Sequence, residues 1–124
     1  MVAFLHDDVL DDGLQALTDN GQDLHICTQQ PTTYTEAVTT YTIADKNGIT
    51  VGSPTNGDAS GRKVVVSAIT DGDVTGTDTG THYAIVDVSN TKLLATEALS
   101  ASQGLTSGNT FTLTAIDITI PHPA

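Results

Sequence analysis

Residues Thr110–Ile120 read Thr-Phe-Thr-Leu-Thr-Ala-Ile-Asp-Ile-Thr-Ile, and this stretch constrains the fold more tightly than any other. Threonine alternates with apolar residues, so Phe111, Leu113 and Ala115 fall on one face of a strand and the threonines on the other. At Ala115-Ile116 the phase flips, and Ile116, Ile118 and Ile120 continue the apolar row one register later. A one-residue slip inside a clean alternation marks either a β-bulge or a strand that passes from one sheet to a facing one. The expected class is mainly β: an antiparallel β-sandwich or barrel-like domain with one short N-terminal helix.

At 124 residues the chain is read as one domain, 1–124, able to bury roughly two-thirds of its unfolded surface without staples. Aromatics make up only 4% and Trp is absent, so Val, Ile, Leu and Ala must build the core. The net charge of −11, with Lys46, Arg62, Lys63 and Lys92 as the only fixed cations, repels phosphate backbones and anionic lipid. Neither nucleic acid nor a membrane is an expected partner. Acidity also keeps a concentrated surface protein in solution. A lone Cys27 excludes an internal disulfide. The opening residues have no basic region followed by an apolar one, so no secretory signal is expected, and no run reaches the length of a membrane span.

The helix is expected within residues 1–22, with Asp7 or Asp8 as its cap, Val9, Leu10, Leu14 and Leu17 on one stripe, and Asn20-Gly21 as its stop. Asp23–Thr28 reads as a short strand with Leu24 and Ile26 facing in. One helical turn follows at Thr35–Val38, then a strand at Tyr41–Ile43. Asp45–Lys63 is dominated by turn chemistry, and loops of that kind carry contacts on a β-scaffold. Val64–Ile69 reads as one central strand buried on both faces, Asp71-Gly72 as a turn, Gly76–Gly80 as a connector, and Tyr83–Val86 as a strand covered on both sides. A polar turn at Val88–Asn90, a strand beginning at Lys92 and a Ser/Gly loop lead to the final run. Residues 121–124 form a proline-bearing flexible tail.

No arrangement of residues makes a convincing active site, and the expectation is a protein without enzymatic activity, cofactor or metal. His25 and Cys27, two apart on a strand, share a face, but two ligands do not make a zinc site. Asp71-Gly72-Asp73 lacks the further oxygen ligands of a calcium loop. There is no Gly-x-Ser-x-Gly elbow and no phosphate-binding Gly-Lys-Ser/Thr ending. Among the acidic residues near the N-terminus, Asp7 and Asp8 suit a helix start, where the dipole favours negative charge. Asp11 and Asp12 point elsewhere and are candidate partner contacts. Arg62-Lys63 is the only doubled positive charge, a candidate anchor for an acidic neighbour or a gatekeeper beside a strand.

Five segments carry a resemblance: Ala3–Asp11, Leu24–Ala37, Gly61–Val64, Thr81–Asp87 and Leu93–Phe111. Together they make nearly the whole chain similar to a family of short virion proteins of tailed bacteriophages. The resemblance implies a capsid decoration (cement) protein on the outer face of the shell, bound to the major capsid protein, made in the host cytoplasm and oligomeric, as a trimer for example. It implies no catalytic residues. Under it the contact candidates are Phe4, Leu5, Asp11, Asp12, Arg62, Lys63 and His122. A tail component (tube, terminator or fibre-associated part) is the alternative. A carbohydrate-binding attachment module is a weaker one, because sugar sites use exposed aromatic platforms and only Phe4, Tyr34, Tyr41, Tyr83 and Phe111 are available.

Overall fold

A computed structural model describes residues 5–121. It is mainly β, with antiparallel sheets curved into a half-barrel and one N-terminal helix, as the alternation demands. Among the described residues helix α1 spans Asp7–Asn20, and nine strands follow: β1 Asp23–Cys27, β2 Thr42–Asn47, β3 Thr55–Asn56, β4 Arg62–Val66, β5 Ile69–Val74, β6 Asp78–Asp87, β7 Lys92–Leu105, β8 Thr110–Leu113 and β9 Ile116–Ile120. A single π-helical turn, Glu36–Thr40, lies between β1 and β2. The six-stranded sheet has the order β7-β6-β1-β2-β5-β8, and the smaller sheet the order β3-β4-β9.

The phase slip at Ala115-Ile116 is the passage of the chain between sheets. β8 belongs to the larger sheet and β9 to the smaller, with Phe111 buried and Ile116, Ile118 and Ile120 packed on the same core from the other side. The same crossing occurs once more, where the sequence reading expected a single strand. Val64–Ile69 breaks at Ser67-Ala68, so that β4 ends in the small sheet and β5 starts in the large one. The two crossings lie side by side: Val66 faces Ile116 before the corner, and Ile69 faces Leu113 after it. One antiparallel ribbon therefore bends from sheet to sheet without losing register. The continuous apolar run Val64–Val66 reflects a central position in the three-stranded sheet, although Val65 is only half-buried.

Several expected turns are strand instead. Asp71-Gly72 lies inside β5, because Gly72 sits beneath the Phe111 ring: a Cβ there would come within 2.1 Å of ring carbon Cε1. Gly80 is likewise inside β6, where a Cβ would meet Ile26 Cγ2 at 2.5 Å. The Ser100–Gly104 segment continues β7 through to Leu105, pairing Gln103 with Gly80 and Leu105 with Asp78. At Gly72 and Gly80 the glycine answers a close approach by the neighbouring strand. Ala115, expected on the inner row, is exposed at the corner.

The helix begins one residue before the expected caps. His6 takes the N-cap position, its Nδ1 accepting from the Asp8 backbone amide at 3.1 Å, while Asp7 and Asp8 occupy the first turn, where the helix dipole favours them. Leu10, Leu14 and Leu17 are buried as the stripe requires, but Val9 stays 56% exposed.

β1 and β6 are neighbouring interior strands of the larger sheet, covered on both faces. Leu24, Ile26, Tyr83 and Ile85 face the main core, which α1, Val64, Val66 and Phe111 complete. Cys27, Ala84 and Val86 face a second, smaller cluster roofed by Ala37, Val38, Tyr34 and Tyr41 from and around the π-helical turn. That second cover explains why β1 is buried on both faces.

Candidate functional site

The residues singled out as contacts divide sharply in the structure. Phe4 and His122 lie outside the described residues, as does the tail beyond Pro121. Leu5, just ahead of α1, is 39% exposed, and Asp12 within α1 is exposed. Together with Val9, they make the start of the helix a mixed apolar and acidic surface. Arg62 and Asp11, by contrast, are turned on one another.

Arg62 opens β4 and holds Asp11 with two bonds, Nε to Oδ1 at 2.7 Å and Nη2 to Oδ2 at 3.2 Å. It also donates to Asn56 Oδ1 at 2.6 Å and to the Pro54 carbonyl at 3.3 Å. This forked geometry suits guanidinium and carboxylate. Its role is to tie α1 and the Pro54–Asn56 segment, which includes β3, to β4. Lys63 bridges Asp58 at 2.7 Å and Asp117 at 3.0 Å, which holds the 57–61 turn against β9. Lys46 pairs with Asp71 at 3.0 Å. Neighbouring carboxylates raise the pKa of Arg62, through Asp11, and of Lys63, through Asp58 and Asp117. Sequence reasoning found the doubled cation but had no means of seeing that its counter-ions come from α1 and β9. Replacing Arg62 with Gln is expected to speed amide exchange selectively along α1 and residues 54–56 while leaving β1, β2 and β6 protected, which hydrogen–deuterium exchange reads directly.

His25 and Cys27 do share a face, but each is committed within the fold. His25 Nδ1 lies 2.9 Å from Thr42 Oγ1, and the Cys27 thiol donates to the Ala37 carbonyl across 3.6 Å. Burial pushes the Cys27 thiol up to about 11, which leaves it protonated and a poor nucleophile. No group of three His, Cys, Asp or Glu among the described residues is placed to hold a metal ion. Burial also lowers the His25 pKa, against the opposing pull of Asp45 and Asp23. With the folded value below 6.5, the unfolded chain takes up the proton first, so stability is expected to fall as pH drops below 6.5. Urea titrations across that range should show the slope, and His25→Gln should flatten it.

Among the described residues, two of the surface clefts stand out. The larger, about 550 Å³, lies between the end of α1 and the β6–β7 turn. Its polar groups are mutually bonded: the Gln22 side chain exchanges hydrogen bonds with Ser89, and Asp23 accepts from the Gly48 amide at 3.2 Å. With its amide nitrogen turned inward, Asn47 donates to Asp23 at 3.0 Å and to Asp45 at 3.1 Å. The smaller cleft, about 350 Å³, runs between β7 and the β8–β9 corner, lined by Leu99, Leu113 and Ile116 with Glu97 at its edge. Neither lining includes a His, Cys or Lys. Both are shallow surface features of a kind that protein contacts can use.

The chain matches no protein-family model, no curated protein and no solved structure. No helix among the described residues is long and apolar enough to cross a membrane.

Proposed function

We propose that the protein is a structural component of a tailed-bacteriophage virion, a capsid decoration protein that binds the outer face of the major capsid protein shell and stabilises it. The proposal rests on the likeness of the five sequence segments and on one structural observation. Three of the four Lys and Arg side chains are spent on intramolecular carboxylates, so a chain of net charge −11 presents no basic patch among its described residues. Such a surface suits the outside of a shell and would be repelled from packaged DNA. The exposed Leu5, Val9 and Asp12 at the start of α1 are the contact we assign to the shell.

Purified chain added to shells assembled from the major capsid protein alone should cosediment with them to a fixed stoichiometry and raise the temperature at which they rupture. Val9→Asp, at an exposed position, should weaken that binding without unfolding the chain. Failure to bind shells, together with binding to isolated tails, would replace this proposal with the tail alternative. Of the five aromatic residues on which a sugar-binding reading depends, Tyr83 and Phe111 are buried.

A further inference from the structure

Strand β7 ends the six-stranded sheet, and among the described residues no backbone hydrogen bond leaves its outer side. Its first half reads Lys92-Leu93-Leu94-Ala95-Thr96-Glu97: a cation at one end, a carboxylate at the other, and no charge between. Exposed edges are commonly guarded by proline or by several charges, and this segment has no proline and ends in opposite charges. Lys92 is also the one Lys or Arg among the described residues without an intramolecular ion pair, because the carboxylate opposite it, Asp87, is occupied by Asn90.

We infer that this edge is a self-association surface, and that its partner is the same segment of a second copy running antiparallel about a twofold axis between Leu94 and Ala95. Lys92 of each copy then faces Glu97 of the other, Leu93 faces Thr96, and Leu94 faces Ala95. Residues opposed across two strands must lie on the same side of the sheet. A regular strand would violate that rule here, since 92 and 97 differ by an odd number. The bulge repairs it: Ile85 pairs with Ala95 but Val86 with Leu93, which leaves Leu94 as the extra residue. Leu94 and Ala95 consequently both pack on the main core, while Leu93 turns to the second cluster. Lys92, by alternation from Leu93, shares the face of Glu97, whose carboxylate accepts from the Tyr83 hydroxyl at 3.2 Å. For two copies carrying −11 each, a contact that matches opposite charges twice is a favoured way to approach.

The test needs only the purified full chain and is independent of the capsid proposal. Sedimentation equilibrium across a concentration series should find a monomer–dimer system. Lys92→Glu and Glu97→Lys should each weaken the dimer by roughly tenfold to a hundredfold, because two attractive pairs become two repulsive ones. The double reversal Lys92→Glu/Glu97→Lys restores both pairs and should dimerise like the native chain. Circular dichroism confirms the fold of each variant, and the double reversal decides the matter even where a single variant folds poorly. A monomeric native chain, a dimer indifferent to both single reversals, or a double reversal that stays monomeric would overturn the inference.

Discussion

Between pH 9 and pH 12 the folded protein should lose on the order of 5 kcal/mol of stability, enough to unfold many domains of this size. The loss comes from two buried groups that the fold keeps protonated. Burial pushes the Cys27 thiol from 9.0 up to about 11. Burial, then the nearby Glu97 carboxylate, pushes the Tyr83 hydroxyl from 10.0 up to about 12. Both folded-state values are raised, so the contribution is fully present below the unfolded values and disappears as pH rises through the folded ones. Two pH units for each group correspond to about 2 to 3 kcal/mol apiece. Urea unfolding at a series of alkaline pH values measures this, with Cys27→Ala and Tyr83→Phe each expected to remove about half of the slope. An unchanged slope in Cys27→Ala would show that the thiol ionises equally well in both states.

Gly72→Ala is expected to cost about 2 to 3 kcal/mol, unusually much for a single added methyl group. The new carbon would lie within 2.5 Å of three Phe111 ring atoms, and Phe111 is only 2% exposed, so the ring has nowhere to retreat. Phe111→Leu alone should also destabilise, by leaving space over Gly72. In the pair Gly72→Ala/Phe111→Leu the added methyl occupies part of that space, so the double variant should be more stable than the sum of the two costs predicts. Chemical denaturation of the four proteins gives this coupling, and simple additivity would mean that the two residues do not meet as described.

The β class and the break at Ala115-Ile116 were legible because alternation is a local property. Each Thr-apolar step of Thr110–Ile120 reports which side faces the core, and a change of phase reports either a bulge or a change of sheet, between which only the fold decides. Glycines misled for the opposite reason. Gly72 and Gly80 resemble turn residues when only their neighbours in sequence are considered, yet they answer to Phe111 and Ile26, which are remote along the chain. The Ser100–Gly104 stretch is a strand because β6 supplies its partner, not because its own residues favour extension. Val64–Ile69 hid its break, since Ser67-Ala68 is a weak signal between apolar residues.

The candidate contacts were legible as residue types but not as pairs. Arg62 and Lys63 stood out as the only adjacent cations, while their partners Asp11, Asp58 and Asp117 are brought in by the packing of α1 and by the pairing of β4 with β9. Lys92 is one of four cations in the sequence with nothing to link it to Glu97, and the two become a pair only once β7 is known to be an edge with a bulge at Leu94. Charge patterns acquire meaning from topology.

Localising the chain on intact particles by antibody labelling and a three-dimensional reconstruction tests the account most directly. The prediction is regularly spaced density over the outer face of the head, with α1 turned toward the shell. Density confined to the tail, or within the DNA-filled interior, would contradict it.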